Sequence, residues 1–402
     1  MRRNVSPSLV PLFLAAGATL PAMGVRLGLF RAPTIVEVLF FGAGIMGAAF
    51  ILTWAAEVAQ LHISQTLAIA ALALIAVLPE YAVDLYLAFC AGQGDEGCVH
   101  LAIANMTGAN RLLIGIGWAA VVLVFWARSG QRKVALRIEQ RTDVGYLLLA
   151  TLWAFSIPVR GQLSLIDLAV LGSLFVAYVI RAAREEVEEP ELIGTAASLA
   201  LLPHSRRRLA IVGLFLFGAT IILSSAEPFA EGLRDIGEQF GISEFFLIQW
   251  LAPLASEAPE MIIAILFTLR ARPDVGLGAL ISSKVNQWTL LVGTLPLVFS
   301  LAGAGLLTPM PLDSTQEQEV FLTAAQSIFA VAVIANLSIS RLEAIGLLLL
   351  FSGQFAIQHL RMEFAVVYLV LFAGMVIFNR SVRTNLVDSM RHVLGRGARA
   401  EV

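Results

Sequence analysis

Twelve apolar windows, each about the length that carries a helix across a bilayer, constrain this chain more than any other feature. They fall near 8–28, 35–60, 65–91, 98–126, 143–158, 163–181, 209–231, 244–269, 275–303, 318–338, 341–360 and 363–379. A spanning helix needs roughly 17–25 predominantly apolar residues. Only helices and closed barrels satisfy every backbone polar group in lipid, and stretches this long and apolar read as helices. The remaining composition agrees, because 58% of the 402 residues are hydrophobic and 14% are charged, against roughly a quarter charged in a soluble protein. The first window, after Met1-Arg2-Arg3, has the outline of a signal peptide but runs on to about Leu29. It reads as an uncleaved span. The expected fold is an all-α polytopic membrane protein.

Basic residues set the expected orientation. Arg128, Arg132, Lys133, Arg137 and Arg141 follow the fourth window, Arg181, Arg184 and Arg206 to Arg208 bracket the loop after the sixth, and Arg380, Arg383, Arg391, Arg396 and Arg399 follow the last. With the N-terminus inside, twelve crossings put all three clusters in the cytoplasm, as the positive-inside rule requires. Both termini are then cytoplasmic, with the bacterial inner membrane as the expected location. The loops 93–97 and 313–319 carry acids and no Lys or Arg and fall outside. The loop 182–208, with Glu185, Glu186, Glu188, Glu189 and Glu191, reads as a solvated linker. Cys90 and Cys98 are too few for a disulfide framework; they flank one short turn and could pair there, but read first as small buried apolar residues.

The two halves carry matching segments. LIAVLPEYAVDLYLAF (74–89) aligns with LASEAPEMIIAILFTL (254–269), Pro-Glu on Pro-Glu. LHIS (61–64) aligns with FGIS (240–243), and ANMTGANRLL (104–113) with GALISSKVNQ (278–287). The Pro-Glu helices are the third and eighth windows. An odd offset of five makes the copies antiparallel, and inverted repeats with a midplane site are a secondary-transporter architecture. The expected organisation is an extra N-terminal helix over 1–34, repeats over 35–181 and 209–360 separated by the linker 182–208, and an extra helix with a basic tail over 361–402.

The intramembrane acids point to cation chemistry. Glu80 and Asp84 are four apart, Glu257 and Glu260 three apart, so each pair shares a face of a continuous helix. Each charge near the bilayer centre costs about 2.5–3.5 kcal/mol on insertion scales, so these acids need a bound cation, protons or bases. Proline removes an amide and crowds the carbonyl four residues back. That predicts freed carbonyls at Ile75 and Ala76 and at Ala255 and Ser256, which with carboxylates form a hard-oxygen set suited to Na⁺ or Ca²⁺. The next helices add Asn105, Thr107 and Asn110, and Ser282, Ser283, Asn286 and Gln287. Lys284 stands where a cation is expected. It can neutralise Glu257 or Glu260, titrate, or reach out to an interface, and Arg111 has the same options. No phosphate loop, His-Glu-x-x-His helix or nucleophile elbow is present, so the sequence supports neither an enzyme, nor ATP-driven pumping, nor a cofactor. A net charge of −2 gives no reason to expect nucleic acid. The expected partners are membrane lipid and small inorganic cations.

On these residues the chain resembles the sodium/calcium exchanger superfamily, the cation/Ca²⁺ antiporters. That family has two inverted five-helix repeats, each with a Gly-Thr-Ser-Leu-Pro-Glu-like segment followed by Gly-Asn-x-x-Gly-Ser-Asn. Here the segments are 75–80 with 104–110, and 255–260 with 278–284. Ser225-Ala226-Glu227 and Glu231-Gly232 look like further family positions. The similarity covers about residues 35–360. It implies that Glu80 and Glu260 match the two central cation-binding glutamates, and that Asn105, Asn110, Ser256 and Ser283 match other polar ligands. It also implies a secondary antiporter that moves Ca²⁺ in exchange for Na⁺ or H⁺. The departures are specific. Ala76, Val77 and Ala109 replace hydroxyl positions, Glu257 replaces a serine and Lys284 an asparagine. The alternatives are a Na⁺/H⁺ antiporter with Lys284 as charge partner, a passive cation channel, and an intramembrane hydrolase using Asp84 and Glu257. Matching acids in both halves suit an ion site better than a hydrolase.

Overall fold

A computed structural model describes residues 8–62, 77–184, 192–305 and 307–395. The chain opens with α1 (Val10–Arg26) and α2 (Thr34–Ala59). The first Pro-Glu helix, α3, is described over Leu78–Gly92, and the carbonyls of Ile75 and Ala76 lie outside the described residues. α4 (Glu96–Leu112) passes through a π-helical turn at Leu113–Trp118 into α5 (Ala119–Ser129). Then come α6 (Gln140–Ala154), α7 (Ser156–Arg160), α8 (Leu165–Ala182) and the short α9 (Gly194–Ala200). The second half holds α10 (His204–Phe240), the second Pro-Glu helix α11 (Glu244–Leu269), and α12 (Pro273–Asn286). α12 runs through a π-helical turn at Gln287–Leu291 into α13 (Val292–Phe299). α14 (Ser314–Ile334), α15 (Arg341–Ala356), α16 (Arg361–Phe378) and α17 (Arg380–Val393) complete the described chain.

The protein is thus nearly all helical. Each of the twelve apolar windows holds helix, and nine helical runs among the described residues are both long and apolar enough to cross a membrane. The other three windows hold shorter helices: α1 with 17 residues, the described part of α3 with 15, and α15 with 16. The loop read as a solvated linker is partly built into the fold. Residues 185–191 lie outside the described set, but α9 buries Thr195, Ala196 and Leu199. Ala196 and Leu199 pack with Val58 and Ile211 in one apolar cluster. The reading of Cys90 and Cys98 as separate apolar residues is corrected, because the two are joined in a disulfide. The turn between α3 and α4 brings them together, so the alternative of pairing across that turn is the one that holds.

The chain forms two compact units. The first comprises 1–87 and 183–259, the second 88–182 and 260–402. In the first unit, α2 packs on α1 and α10 through small residues. A methyl on Gly47 would come within 2.5 Å of the Ala15 carbonyl, and one on Gly44 within 2.9 Å of the Ala22 methyl. Close approach through small residues is how membrane helices gain packing that lipid would otherwise match. Polar ties accompany it, with Arg26 paired to Glu227 and the Tyr86 hydroxyl donating to Glu231.

In the second unit two small bridges link the halves of the sequence. β1 (Lys133–Ala135) pairs antiparallel with β4 (Ser338–Ser340), and β2 (Gln162–Leu163) with β3 (Met310–Pro311). β1 and β3 follow matching helices of the repeat, as do β2 and β4. The two bridges therefore exchange under the repeat, as a twofold relation within this unit requires. Arg111, whose role the sequence leaves open, is committed to structure here. Its guanidinium donates to Glu319 at 2.5 Å, and Arg361 donates to the other oxygen of the same carboxylate at 2.5 Å. Arg111 and Glu319 are both buried.

Removing one member of a buried ion pair leaves the other charge uncompensated, at a cost of about 3–5 kcal/mol. Glu319→Ala is expected to destabilise the protein by that order in equilibrium unfolding in detergent. An unchanged unfolding midpoint would show that the triad is dispensable.

Candidate cation site

The site residues divide between the two units. Glu80, Asp84, Ser256 and Glu257 belong to the first, and Asn105, Asn110, Glu260, Ser283 and Lys284 to the second. In the first unit, Pro79 sits in the opening turn of α3, where a missing amide costs little. Glu80 and Asp84 follow on one face of that helix and are both buried. α11 remains helical through Pro253 and Pro259, so the prolines remove amides there without ending the helix. Glu257 and Glu260 consequently share a face. Ser256 and Glu257 are buried. The Ser256 hydroxyl donates to the carbonyls of Ala252 and Pro253 at 3.2 and 3.3 Å. Its own oxygen lone pairs stay available to a cation.

In the second unit, Glu260 lies half-buried on α11 with the Ser283 hydroxyl beside its carboxyl. α12 reaches this position by lying close to the end of α11. A methyl on Gly276 would meet the Ala264 carbonyl at 2.4 Å, so only glycine permits the approach. Asn105 and Asn110 are buried on α4. The Asn110 amide donates to the Met106 carbonyl at 2.8 Å, which leaves its side-chain oxygen pointing away from its own helix.

That oxygen is taken by Lys284. The ammonium donates to Asn110 Oδ1 at 2.6 Å and to the Asn110 carbonyl at 3.2 Å, and it lies 4.5 Å from the centre of the Trp288 ring. Lys284 is wholly buried, which rules out the interfacial option considered from sequence. A charge-assisted hydrogen bond and a desolvated cation–π contact are among the stronger polar interactions available to lysine. Asn110 and Lys284 stand 174 positions apart, the same offset that aligns Ala104 with Gly278 and the two π-helical turns, which begin at Leu113 and Gln287. Repeat-equivalent residues therefore touch, as residues beside a twofold axis do. Short π-helical segments inside α-helices recur at functional sites, and both of these follow directly on the polar helices.

The donor set is carboxylate, amide and hydroxyl oxygen, with one buried ammonium. Such hard oxygens suit Ca²⁺, which takes six to eight of them. Several buried acids are absent from the sequence-derived site. Asp143 accepts from Ser282 and Tyr178. Asp167 is held by Arg160, Trp153 and Ser164, and Glu319 by two arginines. The signal that marks them is their place within or beside apolar windows, where any acid is a candidate functional group.

If Lys284 and Asn110 bond as described, their substitutions are coupled. Asn110→Leu is expected to cost about 1.5–3 kcal/mol, the scale of a lost hydrogen bond to a charged group. Adding Lys284→Met is expected to recover part of that loss in unfolding measurements, with a coupling of about 0.5–3 kcal/mol. Strictly additive effects would mean that the two do not interact.

Comparison with known proteins places these features in context. The family described as "Sodium/calcium exchanger protein" matches residues 33–183 and 210–379. The Ca(2+)/H(+) antiporter ChaA of Bacillus subtilis (strain 168) is 24% identical over 258 residues, 57% of this chain and 67% of that protein. The crystal structure of an H⁺/Ca²⁺ exchanger, CAX, superposes with a TM-score of 0.91 at 42% identity, covering 95% of this chain and 96% of that one. The sodium-calcium exchanger NCX_Mj, soaked with Na⁺ and Sr²⁺, gives a TM-score of 0.53 at 18% identity over 86% of this chain and 99% of that one. At that identity the likeness is one of fold.

Proposed function

The chain belongs to the sodium/calcium exchanger protein family, whose members are transporters, and we propose that it exchanges Ca²⁺ for H⁺, with Glu80 and Glu260 holding each in turn. The observation that carries the choice of H⁺ is the Lys284–Asn110 contact. It places an ammonium on a side-chain oxygen that an alkali ion would otherwise use. The loss of hydroxyls at Ala76, Val77 and Ala109 points the same way, since each was a neutral oxygen of the kind Na⁺ uses. The CAX and ChaA relatives are both described as exchangers of Ca²⁺ and H⁺.

Charge balance explains why exchange is obligatory in this account. Two ionised glutamates carry two negative charges, which one Ca²⁺ or two protons neutralise. Leaving both bare in a low-dielectric site carries a cost of several kcal/mol, so the protein changes its access only when loaded. Competition for the same carboxylates then couples the two fluxes, and no nucleotide is required. Lys284 and Glu257 depart from the family pattern together and carry opposite charges, so they leave the balance unchanged. Asp84, one turn beyond Glu80 and buried like it, adds a further carboxyl oxygen to the set. Ser256, Ser283 and Asn105 supply neutral oxygens, and Asn110 remains tied to Lys284. The three basic clusters support a bacterial inner-membrane protein with both termini on the cytoplasmic side.

The test is ⁴⁵Ca²⁺ uptake into proteoliposomes under imposed gradients. A proton gradient is expected to drive uptake and a Na⁺ gradient is not. Glu80→Gln and Glu260→Gln are each expected to lower uptake more than about tenfold, the effect of losing at least 1.4 kcal/mol of ion stabilisation. Parental transport by both variants would remove these residues from the mechanism, and Na⁺-driven uptake would overturn the choice of proton. Lys284→Asn, which restores the family residue, is expected to alter the pH dependence or to admit Na⁺ as a driving ion. If neither change is observed, Lys284 has no part in ion selection.

A further inference from the structure

Asp143 is a buried carboxylate that the proposed exchange does not use. It lies near the start of α6, is 7% exposed, and receives two hydrogen bonds on one oxygen. The Ser282 hydroxyl donates at 2.6 Å and the Tyr178 hydroxyl at 2.8 Å. Ser282 is on α12, next to Ser283 and Lys284, and Tyr178 is on α8. One carboxylate therefore ties together three helices of the second unit.

Among the described residues no base forms an ion pair with this carboxylate. The basic groups on the elements packed around α6 have other partners. Arg181 on α8 contacts His392 on α17, and Lys284 on α12 donates to Asn110. Arg160 on α7 holds Asp167, and Arg391 on α17 faces Asp388. Burial, followed by the charges of Arg181 and Arg141, holds the His392 imidazole below the usual histidine range, so this neighbour adds no positive charge near neutral pH. The acids nearby are likewise engaged, Asp274 on α12 by Arg137 and Glu319 on α14 by Arg111 and Arg361. Glu317 on α14 approaches Gly161. On α6 itself, Arg141 is two residues away and so on a different face, and Tyr146 stacks edge-on against Tyr178. Among the described residues none of these bases forms an ion pair with Asp143.

Two hydroxyl donors offset only part of the cost of burying a carboxylate that has no counter-charge, so the group binds a proton more readily than an exposed one. Asp143 lies in the first turn of α6, at the boundary of that apolar span. We propose that Asp143 is a second proton-binding site, and that its charge state sets how firmly α12, and with it Ser283 and Lys284, is held. Ionised, the carboxylate accepts from both hydroxyls and locks α12 to α6 and α8. Protonated, it is a weaker acceptor and the lock loosens. Asp143 is a positioning residue, acting on the ion site through Ser282. Its effect on exchange rests on the antiport reading, whereas its protonation does not.

The experiment follows the carbonyl stretch of protonated carboxylic acid by infrared spectroscopy in full-length, detergent-solubilised protein as pH is varied without Ca²⁺. One titrating band is expected to vanish in Asp143→Asn and to persist in Asp143→Glu. Ser282→Ala and Tyr178→Phe each remove a donor to the ionised form. Each is expected to move that band's midpoint upward by about one pH unit, a shift that general loosening of the fold would not confine to one band. In vesicles, Asp143→Asn is expected to retain Ca²⁺ exchange with a flattened pH profile. The proposal is overturned if Ser282→Ala and Tyr178→Phe leave every acid band where it was, or if Asp143→Asn keeps all of the bands and the parental profile. Absence of proton-driven uptake by the parent protein would instead count against the exchange reading and leave the infrared result standing.

Discussion

The cost of holding charge in a low-dielectric interior organises this protein. In water a spare carboxylate is inexpensive, whereas within a membrane-spanning bundle every ionised group needs a counter-charge, a proton or a set of donors. The chain meets that requirement in two ways. Some acids are permanently satisfied, as Glu319 is by Arg111 and Arg361 and Asp167 by Arg160, Trp153 and Ser164. The first of these joins helices distant in sequence and the second joins neighbouring ones, and both serve as fixed structure. The proposed function asks something different of the acids of the Pro-Glu helices, of which Glu260 sits beside the Ser283 hydroxyl. In the proposed function that difference separates scaffold from transport site: a permanently paired acid cannot exchange its partner.

Lys284 stands between these classes. It is a buried cation introduced where the family pattern has asparagine, and it is steadied by its own repeat-equivalent residue and by Trp288. The pairing breaks the chemical symmetry of the repeat while keeping its geometry. In the proposed function Lys284 acts as an ammonium and withdraws one amide oxygen from the donor set. Both effects favour ligands that compete for carboxylates over ions that rely on neutral oxygens.

Much of the helical fold was legible in the sequence because membrane insertion imposes a length and an apolarity on every spanning segment. The alignment of 104–113 with 278–287 was also informative, for the offset found there recurs in the Asn110–Lys284 contact and in the start of both π-helical turns. What stayed hidden depends on tertiary partners. Arg111 and Glu319 are 208 positions apart, and nothing local to either shows that they meet. Asp143 reads as an ordinary residue at the edge of a span until Ser282 and Tyr178 are brought onto it. The Cys90–Cys98 disulfide depends on the geometry of a turn, and the folding of α9 depends on an apolar cluster shared with α2 and α10.

The central claim is that one Ca²⁺ and two protons neutralise the same pair of glutamates. The most direct measurement is the number of protons released when Ca²⁺ binds to purified protein in weakly buffered detergent solution. The account predicts release approaching two protons per Ca²⁺ at a pH where both glutamates begin protonated, and none in a Glu80→Gln/Glu260→Gln variant. Ca²⁺ binding without proton release, or undiminished release from that variant, would contradict it.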